Sequence, residues 1–476
     1  MNISRCAVRI LIISRINGEK SAALPKILHL QLEKVPAPIY IKRIKTGNFT
    51  RNSSLAGGVM NIERPVYLQK LKDRMHDGMI KIITGLRRSG KSYLLFVLFR
   101  KHLLDSGVHP DHIIGLELDM RSNEKYRNPD VLLAYLSEKM NADGMYYILL
   151  DEVQMLKDFV SVLNELLHCR NADVYVTGSN SKFLSSDVVT EFRGRGDEVR
   201  IHPLSFSEYC SAFQGSRDEA WQEYLTYGAL PHILSMKSDE QKIEYLKNLF
   251  EMTYLKDIKE RNKIRYSTEM GALLDILASA TGSLTNPLKL SKTFHSRRGK
   301  KFPESTIARY CQYLENAFLI NKSVRYDVKG KEYIDTPFKY YFEDVGLRNA
   351  RLDFRQQEET HIMENIIYNE LRYRGFSVDV GVVEIREKQP DGKMAHKQLE
   401  IDFIANSGSR RYYIQSAFAM NEPDKEAQEK RPFMRVNDSF KKIILVRENI
   451  KVRRDEYGIV TMGVLDFLLQ PNSLEA

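Results

Sequence analysis

The residues from Met79 to Phe99 constrain the fold of this chain more than any other stretch. Apolar and β-branched residues in Met79–Thr84 indicate a buried strand, Gly85–Ser92 reads GLRRSGKS, and Tyr93–Phe99 is apolar enough for a buried helix. The middle segment fits the pattern G-x-x-x-x-G-K-[S/T], in which glycines let backbone N–H groups surround a phosphate. A helix that starts near Lys91 directs its positive end at the same anion. A strand, a loop of this kind and a helix in this order predict a nucleotide site in an α/β fold.

The pattern assigns a role to each part of the loop. We expect Lys91 to contact the β- and γ-phosphates of ATP, and the Ser92 hydroxyl to bind Mg²⁺. A glycine-rich turn with a surface lysine would not explain why the loop lies between a buried strand and an apolar helix. The residues expected to surround the nucleotide are Gly85, Leu86, Arg87, Arg88, Ser89, Gly90, Lys91, Ser92 and Tyr93.

Two adjacent carboxylates follow another apolar run. Tyr146–Leu150 leads directly into Asp151 and Glu152. Carboxylates at the end of a buried strand are costly unless they serve a metal or a water. We expect Asp151 to hold Mg²⁺ through its water shell and Glu152 to polarise the attacking water. Strands also end in acids that cap the next helix, so the interpretation depends on the phosphate loop about sixty residues earlier.

Strands and helices alternate through this part of the chain. His112–Asp119 and Asp173–Thr177 predict two further strands, and Pro129–Met140 predicts a helix. Such alternation predicts a parallel sheet with both faces covered. The fourth strand ends in Gly178–Ser181, where a polar side chain suits a sensor of the γ-phosphate.

Several motifs together resemble a large family of prokaryotic AAA-type P-loop ATPases whose C-terminal half is a domain of unknown function. The resemblance runs from about Met60 to about Leu469. The motifs are Gly85–Ser92, Leu150–Gln154, Thr177–Asn180, Arg193–Arg195 and Pro203–Glu208.

The resemblance implies roles for residues that follow the fourth strand. Ser179 or Asn180 would be the sensor, and Arg193 or Arg195 would complete the site in cis or from a neighbouring subunit. The alternative for these arginines is a solvated loop. The helical pattern of Glu208–Leu255 is similar to the small lid that closes on nucleotide in this family.

The C-terminal half begins with a pattern typical of a winged helix, which is three helices and then a hairpin. The loop Ser296–Lys301 is basic and leads into the third helix, which also carries Arg309, so this face could contact DNA phosphates. Winged helices also mediate protein contacts, and that alternative stays open. The predicted elements are Met270–Ala280, Pro287–Phe294, Glu304–Phe318, Ile320–Tyr326 and Lys331–Ile334.

The last segment resembles the PD-(D/E)XK nuclease core. A helix with Glu364 precedes two strands that carry Asp402 and Gln415, and these three side chains would face a metal. Ala417 stands where that family has its catalytic lysine. Without the lysine the attacking water loses its activator, so a binding or scaffold role is preferred over cleavage.

Alternation in the first of these two strands predicts the orientation of its side chains. Leu399, Ile401 and Phe403 are expected to face the core, and Glu400 and Asp402 the other side.

The net charge and the cysteine content bear on which classes of protein this chain can belong to. The net charge is +10, but residues 1–59 hold ten Lys/Arg and two acids, so the other residues carry only +2. The basic balance therefore says little about the folded body. Four scattered cysteines argue against a disulfide framework or a thiolate zinc site and fit a reducing cytoplasm.

The basic leader has two interpretations. We prefer that Met60 is the natural start and that the residues before it are translated upstream sequence; a signal peptide around Val8–Ile16 is the alternative. No apolar run in the chain approaches the length of a membrane helix.

The sequence thus predicts an α/β chain: a P-loop NTPase parallel sheet with a helical lid, then a winged helix and an α/β nuclease-like domain. The predicted segments are a leader (1–59), an ATPase core (60–203), a lid (204–265), a winged helix (266–345) and a nuclease-like domain (346–476). The expected function is Mg²⁺-dependent ATP hydrolysis that repositions the C-terminal half, in a homo-oligomer or with a protein partner. Alternatives are an ATP-controlled DNA nuclease, and a non-catalytic DNA- or protein-binding regulator that uses ATP structurally.

Overall fold

A computed structural model describes residues 62–178, 194–264, 267–388, 394–420 and 422–475. These residues belong to one compact unit, Met60–Ala476. The predicted leader lies outside the described residues, as do three predicted site residues, Ser179, Asn180 and Arg193.

The first sheet is the predicted parallel sheet. Its order is β2-β3-β4-β1-β5, and every neighbouring pair is parallel. Four strands match the predicted ones, whereas the edge strand β5 was not predicted. The bounds are Ile80–Gly85 (β1), Ile113–Glu117 (β2), Tyr146–Asp151 (β3), Ala172–Thr177 (β4) and Gly196–Ile201 (β5).

Helices cover both faces of this sheet. Successive residues of β1 point to opposite faces, so Ile82 packs in one apolar cluster and Ile83 in another. The helices Pro129–Lys139 and Phe159–Leu166 contribute to the first cluster; Pro65–Lys72 and the helix after the phosphate loop contribute to the second. The helix after the loop consists of Lys91–Tyr93, a π-helical turn Leu94–Phe99 and Arg100–Asp105.

The next segment is helical, as predicted. Two of its helices begin with reciprocal capping boxes, Ser205 with Glu208 and Ser216 with Glu219, which satisfy backbone N–H groups at the helix starts. The bounds are Phe206–Ala212, Arg217–Tyr227, Asp239–Leu249, the π-helical turn Phe250–Leu255 and Lys256–Arg261.

Three helices and a hairpin follow in the predicted order. The helices are Ser267–Ser279, Pro287–Arg298 and Glu304–Asn316. The hairpin strands are Ile320–Asp327 (β6) and Glu332–Phe342 (β7).

The remaining strands build one sheet together with this hairpin. Its order is β12-β13-β11-β10-β9-β8-β6-β7, and β6 lies parallel to β8. Strands from both sides of the predicted boundary at 345/346 therefore share a sheet. The further strands are Ser377–Lys388 (β8), Met394–Ser407 (β9), Arg410–Ala417 (β10), Lys441–Val446 (β11), Arg453–Arg454 (β12) and Val460–Gly463 (β13). The further helices are Val345–Arg351, Glu359–Tyr373, Pro423–Lys430 and Val464–Leu469.

One orientation prediction for β9 is wrong. Leu399 and Ile401 pack on one face of the sheet, but Phe403 packs in the cluster on the other face. The pairing of β8 with β9 shifts register between Asp379 and Gly381. Such an irregularity reverses the alternation, so Phe403 faces the helix Glu359–Tyr373.

The helical segment after β5 shares its core with the C-terminal sheet. One apolar cluster contains Trp221 and Leu225 of that segment together with Ile366 and Ile414. Because the helical segment and the C-terminal sheet share one apolar core, the predicted boundary at 265/266 does not separate two independent cores.

Two glycines mark the closest approach between these parts. A Cβ on Gly346 would lie 2.0 Å from the Tyr227 carbonyl oxygen, and one on Gly228 would lie 2.5 Å from the Gly346 nitrogen. Any larger residue would push these two segments of the chain apart. Asp344 reinforces the junction, since its carboxylate accepts hydrogen bonds from the backbone of Ala229 (2.7 Å) and Leu347 (2.9 Å).

Candidate nucleotide site

The phosphate loop follows β1 at the carboxyl edge of the parallel sheet, where ligands of α/β folds bind. Gly85 has a φ of 132°, and a Cβ there would lie 2.1 Å from the Ile201 carbonyl oxygen of the neighbouring strand β5. Gly90 has a φ of 98° and precedes the helix. The glycines of the pattern are thus required by close approach and by backbone conformation.

Lys91 is buried beneath the loop. Its ammonium group donates hydrogen bonds to the carbonyl oxygens of Gly85 (3.1 Å) and Leu86 (3.0 Å). Burial lowers the pKa of Lys91 to about 8, although the carboxylates of Glu152 and Asp151 oppose the change. The lysine is therefore already directed into the loop that is expected to enclose phosphates.

Asp151 joins the loop helix to the third and fourth strands. Its carboxylate accepts hydrogen bonds from the hydroxyls of Ser92 and Thr177. Burial raises the pKa of Asp151, and these two hydrogen bonds counteract the increase. The two predicted Mg²⁺ ligands, Ser92 and Asp151, thus lie in contact.

Glu152 follows Asp151 with a left-handed backbone conformation, at a φ of 50°. Its backbone N–H donates to the Thr177 hydroxyl (3.1 Å), and its carboxylate accepts a hydrogen bond from the Gln154 side chain. Thr177 therefore positions both carboxylate residues at once. Sequence reasoning placed Thr177 at the end of a strand and in the motif Thr177–Asn180 but gave its side chain no role; its position at the tip of a strand predicted beside the carboxylates was the available signal.

These residues fit a nucleotide with a divalent cation. Oxygen ligands from a hydroxyl and a carboxylate are those that Mg²⁺ prefers, and Ser92 and Asp151 supply both. The buried ammonium of Lys91 matches the charge of a polyphosphate.

The loop also contacts the helical segment that follows β5. Leu86 is completely buried in an apolar cluster with Tyr254 and residues as distant as Leu347. The Tyr254 hydroxyl donates to the Arg87 carbonyl oxygen (2.5 Å), and the Arg87 guanidinium lies 3.1 Å from Asp257.

Arg64 makes a second connection that sequence reasoning missed. This buried guanidinium donates to the Ser89 carbonyl oxygen of the loop (3.0 Å) and pairs with Glu208 (3.0 Å). Glu208 also accepts from the Tyr373 hydroxyl (3.2 Å) near the end of the helix Glu359–Tyr373. A single arginine ahead of a helix carries no motif, so only the fold reveals this link.

The predicted arginine Arg195 lies at the opposite edge of the sheet. Its carbonyl oxygen accepts from the N–H of Ile80 (2.9 Å), the first residue of β1, whereas the loop follows the last. Six residues of strand separate these edges by about 17 Å, so Arg195 does not join the site of its own chain. Action from a neighbouring subunit stays a prediction, and Ser179, Asn180 and Arg193 lie outside the described residues.

The predicted nuclease-like residues come together around a lysine that was not predicted. Lys339 of β7 lies 2.9 Å from Glu364, 2.7 Å from Glu400 and 3.6 Å from Asp402. Gln415 is adjacent, since its side-chain oxygen accepts from the backbone N–H of Asp402 (3.4 Å). Lys339 is remote in sequence from the other members, so no local motif indicated it.

One lysine cannot neutralise three carboxylates. Burial raises the pKa of Asp402 to about 7 despite the nearby Lys339. Burial acts against the charged form of Lys339 as well, but the three carboxylates outweigh it and raise the pKa of the lysine. In the described part of the chain, no three His, Cys, Asp or Glu side chains are arranged to hold a metal ion.

Within the described ranges, no helix has both the length and the apolar character needed to cross a bilayer.

The strand order, the phosphate loop after β1 and the carboxylates after β3 define the class of protein. Residues 77–210 match the family described as AAA domain, and residues 218–358 match a domain of unknown function. The protein carries an AAA-type P-loop ATPase domain, as the motifs predicted.

Two relatives extend this similarity over most of the chain. An uncharacterized protein of Haemophilus influenzae is 33% identical over 417 residues, which are 86% of this chain and 99% of that protein. One of Methanocaldococcus jannaschii is 26% identical over 424 residues, which are 85% of this chain and 88% of that protein. The chain belongs to the family of the Haemophilus protein.

Solved structures show weaker similarity. The Walker-type ATPase of Pyrococcus abyssi has a TM-score of 0.44 and 15% identity, with 61% of this chain and 96% of that chain covered. DnaA of Aquifex aeolicus, bound to AMPPCP, has a TM-score of 0.27 and 14% identity, with 52% and 85% covered.

Proposed function

We propose that this protein hydrolyses ATP with Mg²⁺ and uses the nucleotide state to reposition its C-terminal half. The observation that supports hydrolysis is the contact of Ser92 with Asp151 beside the buried Lys91 and the adjacent Glu152. Nucleotide binding alone would need only the loop and Lys91. The two carboxylates at the same edge of the sheet supply the further groups that hydrolysis needs.

Each residue has a separate role in this proposal. Lys91 exchanges its hydrogen bonds with the loop carbonyls for contacts with phosphate oxygens. Ser92 and Asp151 hold Mg²⁺, which when bound neutralises charge on the phosphates. Glu152 accepts a proton from the attacking water at its carboxylate. Thr177 holds Glu152 and Asp151 in position through its two hydrogen bonds.

Variants of Lys91 and Glu152 test hydrolysis. Lys91→Ala should abolish ATP binding, because the phosphates lose their buried cation. Glu152→Gln should keep ATP affinity but reduce turnover by at least about 100-fold. Calorimetry with ATP and a phosphate-release assay measure the two quantities, with the exposed Glu138→Gln as the matched control. Full turnover of Glu152→Gln would refute the assigned role, and negligible wild-type turnover, with and without DNA, would favour the regulator that uses ATP structurally.

The proposed coupling rests on contacts of the loop itself. Leu86 and the carbonyl of Arg87 touch the helical segment, and Arg64 reaches Glu208 and through it Tyr373. A loop that changes shape on binding phosphates would move these partners. We therefore propose that 204–265 acts as the lid and that 266–345 and 346–476 are the moved winged-helix-like and nuclease-like parts.

Hydrogen exchange tests the coupling. ATP should change amide protection in Phe250–Leu255 and near Tyr373 as well as in the loop. Tyr373→Phe should remove the change near Tyr373 and leave the one in Phe250–Leu255, because only the Arg64–Glu208 route ends at that hydroxyl. Protection changes confined to the loop would contradict the coupling.

DNA and a neighbouring subunit are proposed partners. The basic residues Arg297, Arg298, Lys300 and Lys301 and the nearby Arg309 support DNA contact by the winged-helix-like part. An assembly in which Arg195 of one copy meets the nucleotide of another would give that arginine its predicted role.

A DNA nuclease controlled by ATP is the second candidate, and Lys339 favours it. An ammonium group lies among Glu364, Glu400 and Asp402, although Ala417 occupies the expected lysine position. Incubation with plasmid and Mg²⁺ or Mn²⁺ tests cleavage, which Asp402→Asn and Lys339→Met should each abolish. Cleavage that survives in both variants would come from a contaminant, and no cleavage by the wild type would leave the cluster a structural ion-pair network.

A further inference from the structure

A surface cavity of about 240 Å³ lies between the edge strand β5 and the end of the helix Glu359–Tyr373. The ATPase part contributes Lys70 and Arg74 from its first helix and the turn that follows, and Arg200 and His202 from the end of β5. The C-terminal part contributes Arg372 and the turn before β8. Four cationic side chains therefore line one cavity.

Two of these cations form no close ion pair, although Arg372 partly opposes the rise in pKa that burial causes at the Asp379 carboxyl. In the described part of the chain, neither Lys70 nor Arg372 has a carboxylate oxygen within 4 Å. Lys70 lies instead 5.3 Å from the centre of the Tyr67 ring. Burial and the neighbouring Arg74 both lower the pKa of Lys70.

A third cation keeps an unused donor. Arg200 pairs through one terminal nitrogen with Asn321 and Glu343, each at 2.8 Å, but its buried Nε has no acceptor among the described residues.

Two acids near the cavity, Asp197 and Glu343, are paired with its cations, whereas the lining residue Glu198 has only a neutral partner. Asp197 lies 2.7 Å from Arg74, and Glu343 pairs with Arg200 and with His202 (2.5 Å). Glu198, which lines the cavity, accepts a hydrogen bond from Thr84. An anion that enters the cavity would therefore meet Lys70 and Arg372 as available donors.

We propose that this cavity is a binding site for a phosphate group, separate from the nucleotide loop. Guanidinium and ammonium groups are the preferred partners of phosphate oxygens. The volume is below the roughly 300–1,000 Å³ of sites for drug-sized ligands, so the ligand is an orthophosphate or pyrophosphate, or one phosphate of a nucleic-acid backbone. The same phosphate chemistry would recognise each of these ligands, and the experiment below distinguishes a free phosphate from a nucleic-acid phosphate.

The side chain of Arg64 connects the cavity to the phosphate loop. Arg64 donates to the His202 carbonyl oxygen (2.8 Å) at the rim of the cavity and to the Ser89 carbonyl oxygen in the phosphate loop (3.0 Å).

The test uses the full chain with Lys91→Ala, so that the nucleotide loop does not contribute phosphate binding. Pyrophosphate, orthophosphate and a short DNA duplex are titrated separately by calorimetry. Lys70→Gln/Arg372→Gln should weaken binding at least about tenfold, because two charge-assisted contacts are lost. The control Lys101→Gln/Arg170→Gln removes two exposed cations elsewhere. The single variant Arg372→Lys keeps a cation at this position and should bind with most of the wild-type affinity.

Each outcome of these titrations either supports or overturns the proposed phosphate site. Orthophosphate or pyrophosphate binding that falls in the cavity variant but not in the control supports a free phosphate as the source. Duplex binding alone with the same dependence supports a nucleic-acid phosphate. No binding of any of the three, or binding equally strong in both double variants, overturns the proposal, and neither result depends on ATP hydrolysis.

Discussion

At the scale of single residues, the nucleotide site depends on side chains that touch no nucleotide. Thr177 bonds both to the Asp151 carboxylate and to the backbone of Glu152. Arg64 bonds to the carbonyl of Ser89 without belonging to the loop motif. Such neighbours fix the orientation of metal ligands and are often as important as the ligands themselves.

Thr177→Val tests this supporting role. The isosteric change removes one hydrogen bond from each carboxylate residue, so kcat should fall about 10- to 100-fold, while the ATP affinity of the intact loop stays within about threefold. Phosphate release and calorimetry measure the two quantities. Thr461→Val, at a buried threonine of β13, is the control, and Thr177→Ser should restore turnover. An unchanged kcat in Thr177→Val would show that the carboxylates hold their positions without the hydroxyl.

At the scale of elements, the sequence predicted what short-range patterns encode. Strand β3 contains a continuous apolar run, and β1 and β4 are rich in β-branched and aromatic residues despite Lys81 and Asp173, which is why they were predicted. Strand β5 was missed because Asp197, Glu198 and Arg200 interrupt it; charges are common on an edge strand.

Short-range sequence patterns do not reveal which distant strands pair with each other. The hairpin β6–β7 was predicted, but its place in an eight-stranded sheet follows from its pairing with β8, some fifty residues later. Lys339 could not be predicted for the same reason, since β7 brings it to Glu364 and Asp402 only in the finished sheet.

The junction at Asp344 predicts a pH dependence of stability. Burial raises the pKa of Asp344 from 3.8 to about 6, although backbone N–H groups partly oppose the change. A raised acid pKa means that the folded state binds the proton more tightly, so this contribution is complete below pH 3.8 and is lost as the pH rises through about 6. The loss corresponds to about 3 kcal/mol.

Asp344→Asn removes this titration while keeping an acceptor for one backbone N–H. The stability of the variant relative to the wild type should therefore rise between pH 4 and pH 7, as measured by urea unfolding at each pH. The exposed Asp130→Asn serves as the control. A constant difference between variant and wild type across this range would exclude Asp344 as the titrating group.

At the scale of the whole molecule, the predicted segments are not independent. The helical segment after β5 contributes Phe206, Trp221 and Leu225 to a cluster that the C-terminal sheet completes. The Gly228–Gly346 contact leaves no space between the two parts. Any motion of the helical segment must therefore carry the C-terminal sheet with it.

A truncated chain tests this dependence. Residues 60–265 expressed alone should aggregate or unfold without a cooperative transition, because the aromatic cluster of the helical segment would be exposed. Residues 60–476 should show one cooperative transition by calorimetry. A monomeric 60–265 fragment with a sharp transition would show that the lid is a domain in its own right.

The burial of Leu86 has a consequence for synthesis on the ribosome. The loop is made early, but the cluster that covers Leu86 includes residues up to Ala350. A nascent chain that ends before this point carries the complete nucleotide motif without the surface that holds the loop in shape. The phosphate loop therefore reaches its final packing only when the chain has been translated at least as far as Ala350.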